Sequence, residues 1–183
     1  MLINKNITYI DTNKENAVNY FTNVFYEIFK NLYSNDKEII ILCIGTDKVT
    51  GDSLGPLIGY KLYNYSPKNV TIYGTLENPV HAKNLEEIVY EINKKYKNKF
   101  VIAVDASLGL EKNIGCLTIG EGSIKPGQGV NKILPEVGDM FVTGIVNQNG
   151  IFGHMSIQNT RLGIVMKMAD IAYSGMVNVI SLI

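Results

Sequence analysis

Apolar residues follow two rhythms along this chain. Between residues 15 and 33, Ala17, Val18, Phe21, Val24, Phe25, Ile28, Phe29 and Leu32 recur three and four positions apart, which places them on one face of a helix. After the break SNDKE the rhythm changes. Residues 39–44 read IIILCI, a continuous run expected of a strand buried on both faces. Further strand-like runs are VTIYGT (70–75), FVIAVD (100–105), IGCLTIG (114–120) and MFVTGIV (140–146), and VNVISLI (177–183) predicts a closing strand. Helices are expected over 53–63, 84–96 and 157–174, the last with Leu162, Val165, Met166 and Ala169 on one face. Asn84 with Glu87 three residues on resembles a capping box. The polar start predicts no element before the first helix.

Strands alternating with helices imply an α/β fold, a three-layer α/β/α sandwich with a mainly parallel, twisted sheet. No linker or repeat divides the chain, so residues 1–183 are expected to form one α/β domain, with an N-terminal helical segment (1–36) packing on the sheet. Right-handed crossovers put the active surface at the carboxyl ends of the strands. If strand 39–44 lies between strands 70–75 and 100–105, the loops after the first and third of these runs meet at that edge.

Charge adds little. Lys+Arg and Asp+Glu stand at 17 each, so no global field favours nucleic acid or an anionic membrane. The N-terminus is too polar for a signal peptide. No apolar run reaches the roughly 18–20 residues of a membrane helix, and a cytoplasmic location is expected. Cys43 and Cys116 both fall in apolar strand-like runs and read as small buried hydrophobes.

The loop GTDKVTGDSLGP (45–56) concentrates the chemistry. It matches neither the dinucleotide nor the P-loop glycine pattern, and Asp47 and Asp52 would repel phosphate. Asp52 alone reads equally as a helix cap, and Asp47 as a turn residue. Asp105 ends an apolar strand, where a carboxylate needs a partner or a task. Two carboxylates at one sheet edge can bind a metal, share a proton, or work as acid and base. His81 and His154, the only histidines, both fall at carboxyl-side loops. Either one would complete a site for a transition metal.

Four stretches, CIGTDKVTGDSLGP, FVIAVDASLG, SIKPGQGVNK and QNTRLGIVMKMAD, occur in an order and spacing that resemble the germination protease family. The likeness is closer to its short YyaC-type relatives in sporulating bacteria. That family's fold is similar to that of the hydrogenase maturation endopeptidases. The resemblance implies peptide-bond hydrolysis, with Asp52 and Asp105 as the catalytic pair. Asp47, Gly127, Gly129, Asn131 and Lys132 then become candidate substrate-binding residues, with Thr46, Ser53 and Ser107 as polar supports. The loop 122–129 is expected to act as a lid or substrate edge. The implied partner is a protein or peptide substrate such as small acid-soluble spore proteins, with homo-oligomerisation common in the superfamily and no nucleic acid or membrane. No cofactor and no metal are assigned. A metal-dependent endopeptidase using His81 or His154, and a non-catalytic peptide-binding sporulation protein, remain the alternatives.

Overall fold

The structure, a computed structural model, describes residues 7–126, 134–150 and 157–182. In chain order the elements are β1 (Ile7–Asp11), α1 (Ala17–Leu32), β2 (Glu38–Cys43), α2 (Leu54–Tyr65), β3 (Val70–Tyr73), α3 (Leu85–Lys95), β4 (Lys99–Gly109), β5 (Cys116–Glu121), β6 (Met140–Gln148) and α4 (Leu162–Ile180). A short 3₁₀ turn, Thr50–Ser53, leads into α2.

One six-stranded sheet runs in the order β1-β5-β6-β4-β2-β3. The pairs β2–β3, β2–β4 and β4–β6 are parallel, while β5 is antiparallel to both β1 and β6. The expected placing of β2 between β3 and β4 is thus found. Side chains alternate across the sheet. Ile39, Ile41, Cys43, Phe100, Ile102 and Val104 point into a core with α1, α2 and α4. Ile40, Leu42, Ile44, Ala103 and Phe141 meet α3 and the residues around Val80, Leu134 and Val137 on the other face. The layers are α/β/α, as the alternation of runs implied.

Four local readings are corrected by tertiary structure. The polar start contains β1, where only Ile10 of five residues is fully buried, so an edge strand left almost no apolar signal. The final β-branched run belongs to α4, not to a strand. Met168, Ala172, Met176, Val179 and Ile180 continue a helical stripe that packs on α1 and α2, and this burial overrides the propensity of Val177 and Val179. At 19 residues α4 is also long and apolar enough to cross a membrane by length and composition, with half of that stretch buried in the fold. Asn84 stands at the N-cap position of α3 but makes no side-chain bond to that helix end. Finally, Asp105 does not end its strand, because β4 continues to Gly109 alongside the long β6, with a register shift between Ser107 and Leu108.

Candidate active site

The loop after β2 is folded tightly against the strand it leaves. The Ile44 amide donates to the Val104 carbonyl at 2.7 Å, the Gly45 amide to Val80 at 2.8 Å, and the Thr46 amide to the Asp52 carbonyl at 3.1 Å. Gly45 has φ +135°, and a Cβ there would strike the Asp52 carbonyl oxygen, so only glycine suits the position. Gly55 allows the first turn of α2 to rest on the Ile44 backbone, where a Cβ would collide with the Ile44 carbonyl. These contacts hold Asp52 at the carboxyl end of β2, beside β4. No side-chain cap is found at the start of α2. Ser53 Oγ instead donates back to the Thr50 carbonyl at 2.6 Å.

Asp52 and Asp105 lie near enough for the charge of one to act on the other. Asp105 is buried, with Oδ1 accepting from the Ala106 amide at 2.8 Å. Burial first, and then the charge of Asp52, push its carboxyl well above the usual carboxylate range, while the Ala106 amide opposes them. Burial also pushes Asp52 from the ordinary 3.8 up to about 6, against the pull of the Thr46 backbone and of His81. The charge of an ionised Asp52 thus favours the protonated form of Asp105.

The other expected residues fall at different distances from this pair. Thr46 holds the loop turn through its hydroxyl, which accepts from the Lys48 amide at 3.3 Å, and Asp47 is exposed at the turn. Gly127, Gly129, Asn131, Lys132 and His154 lie outside the described residues. The chain on either side of residues 127–133 is pinned. Ile124 and Val137 exchange backbone hydrogen bonds at 2.9 and 3.0 Å. Ser123 Oγ donates to Glu136 Oε2 at 2.7 Å, and Lys125 Nζ lies 3.1 Å from Glu136 Oε1. Among the described residues no three His, Cys, Asp or Glu side chains form a group able to hold a metal ion.

Sequence reasoning missed a row of polar residues beside Asp105. In register across neighbouring strands stand Asp105, Thr143, Thr118 and Tyr9. Thr118 Oγ1 and Thr143 Oγ1 are 2.6 Å apart, and Ser107 Oγ donates to the Gly144 carbonyl at 3.3 Å. A lone threonine inside each of the runs CLTIG and FVTGI was the available signal.

A mainly parallel six-stranded sheet between helices matches the fold of a hydrogenase maturation protease. The [NiFe] hydrogenase maturation protease HycI from Thermococcus kodakarensis KOD1 matches with a TM-score of 0.54 over 86% of this chain and 99% of that one. At 17% identity the likeness concerns the fold alone. Residues 9–175 match the family described as a protein of unknown function, DUF1256, and the chain belongs to that family. The uncharacterized protein YyaC of Bacillus subtilis (strain 168) is 51% identical over 140 residues, 76% of this chain and 68% of that relative.

Proposed function

We propose that the protein is a peptidase that hydrolyses peptide bonds in spore proteins with Asp52 and Asp105. The observation that carries this reading is a half-buried Asp52 whose charge acts on the buried Asp105, where β2 ends beside β4. Ionised Asp52 takes a proton from water as the oxygen attacks the scissile carbonyl carbon. Protonated Asp105 hydrogen-bonds the carbonyl oxygen as negative charge develops there. The proton on Asp52 then passes to the leaving amine as the C–N bond breaks, and the products are a carboxylic acid and an amine. Small acid-soluble spore proteins are the substrate this reading favours, within the cytoplasm of the spore or sporulating cell.

The test is to incubate the protein with small acid-soluble spore proteins and follow intact mass, beside Asp52→Asn and Asp105→Asn. Defined cuts by the wild type that both substitutions abolish are expected. Cleavage surviving both would place the active site elsewhere. Binding without cleavage would replace the peptidase with a peptide-binding sporulation protein.

A further inference from the structure

Residues 157–160 lead into α4 and lie against the turn that carries Asp52. Gly51, the residue before Asp52, is buried. A Cβ there would stand 2.5 Å from the Ile157 carbonyl oxygen and 2.7 Å from Thr160 Oγ1, so this close approach needs glycine. Ile157 packs against the main core, and α4 itself packs on the turn. The turn is thus held between two walls. On one side the Asp52 carbonyl accepts the Thr46 amide and lies over Gly45. On the other, Ile157 and Thr160 close against Gly51.

Thr160 is buried, and Asn147 Nδ2 donates to its hydroxyl at 3.4 Å. Asn147 stands near the end of β6, opposite Leu108 of β4. Earlier in β6, Thr143 is in register with Asp105. Both aspartates are therefore referred to the same strand, Asp105 by direct pairing and Asp52 through Gly51, Thr160 and Asn147. Two groups that share one reaction must keep a fixed separation, and a misplacement of about 1 Å can cost about a hundredfold in rate.

We propose that Thr160 is a positioning residue for the Asp52–Asp105 pair: pressed on Gly51 and held by Asn147, it fixes how deeply the Asp52 carboxyl sits beside β4. Its effect on rate rests on the peptidase reading, while its effect on the Asp52 carboxyl does not depend on turnover. Without this brace the turn relaxes outward and water reaches Asp52. The burial that lifts its carboxyl from 3.8 to about 6 is then lost. Asp105 and His81 are the titratable groups that interact with Asp52. Asp47 and Lys48 of its own loop, and Arg161 beside Thr160, are exposed.

The test follows Asp52 by ¹³C NMR of protein labelled at the aspartate carboxyl carbons, with Asp52→Asn to assign its signal. Thr160→Val keeps the shape of the side chain and removes the hydroxyl. Thr160→Ser keeps the hydroxyl, and Gly51→Ala drives the turn away from Thr160. In Thr160→Val and Gly51→Ala the Asp52 midpoint is expected to fall from about 6 toward 3.8, with Thr160→Ser staying near the wild type. Thr160→Val alone decides the matter if the Gly51→Ala chain fails to fold. In parallel, kcat on a small acid-soluble spore protein is expected to fall about tenfold in Thr160→Val with KM unchanged. An Asp52 midpoint unmoved in Thr160→Val, the result for a residue that only stabilises the fold, would overturn the positioning role. So would a rise in KM alone, which would make Thr160 a substrate contact. A shifted midpoint in a protein whose wild type cleaves nothing would remove the peptidase reading and keep the role of Thr160.

Discussion

The charge of Asp52 raises the proton affinity of Asp105, although the two reach the site from different elements, one from a loop and one from inside a strand. Both acids hold their protons more tightly in the folded chain than in the unfolded one, the reverse of a salt-bridged aspartate. Between about pH 4 and about 6 the unfolded chain has released the Asp52 proton while the native state retains it. The unfolded state then binds fewer protons, so stability falls as pH rises through this window. Asp105 acts in the same direction and beyond it. Asp105→Asn is therefore expected to stabilise the protein at pH 7 in urea denaturation, with a smaller gain near pH 4. An equal gain at both pH values would contradict the burial of a proton-holding acid.

The same pair shapes the pH dependence of catalysis. Under the proposed mechanism kcat/KM rises as Asp52 ionises near pH 6 and declines at the higher pH where Asp105 loses its proton. The two limbs report macroscopic constants of the pair. A profile measured on a defined peptide that rises below pH 4 would assign the base to an unburied carboxylate instead.

Gly45→Ala tests the loop. The new methyl group meets the Asp52 carbonyl in a left-handed backbone region, so a loss of about 2–4 kcal/mol is expected. Gly150→Ala, with nothing within 4 Å of the added carbon, serves as the control and is expected to change stability by less than about 0.5 kcal/mol. Equal melting temperatures for the two variants would mean that the loop is not anchored at Gly45.

The threonine pair gives a double-mutant cycle. Thr143→Val leaves the buried Thr118 hydroxyl without its 2.6 Å partner and is expected to cost about 1–3 kcal/mol. Adding Thr118→Val removes the orphaned group and is expected to recover much of the loss. Additive losses in chemical denaturation would show that the two hydroxyls do not depend on each other.

Much of the site was legible because chemistry was concentrated where apolar runs stopped. Asp52 sits in a glycine-rich loop after IIILCI, and Asp105 interrupts FVIAV, so burial and topology followed from the runs themselves. His81 was legible at the same sheet edge from its position after VTIYGT, but its place next to the aspartate loop was not. Its placing depends on Val80 returning to bridge Ile44 and on Asn84 bonding two backbone groups, neither of which a capping pattern reveals. The fold was misread where a neighbour decided the outcome. Val177 and Val179 suit a strand in isolation but lie in a helix, as Gly175 lets α4 press against the ring of Phe21. Tyr9 and Ile7 suit no core and are exposed, yet they belong to a strand because β5 offers its edge.

That last feature limits how the chain can be trimmed. β1 is the outermost strand and shields the hydrogen-bonding groups of β5 along Cys116–Gly120. A proteolytic cut that removed Ile7–Asp11 would bare those groups as a template for pairing with another molecule. Any maturation of the N-terminus compatible with a solitary, dispersed protein must therefore stop short of Ile7, and a cut beyond it would turn processing into a trigger for self-association.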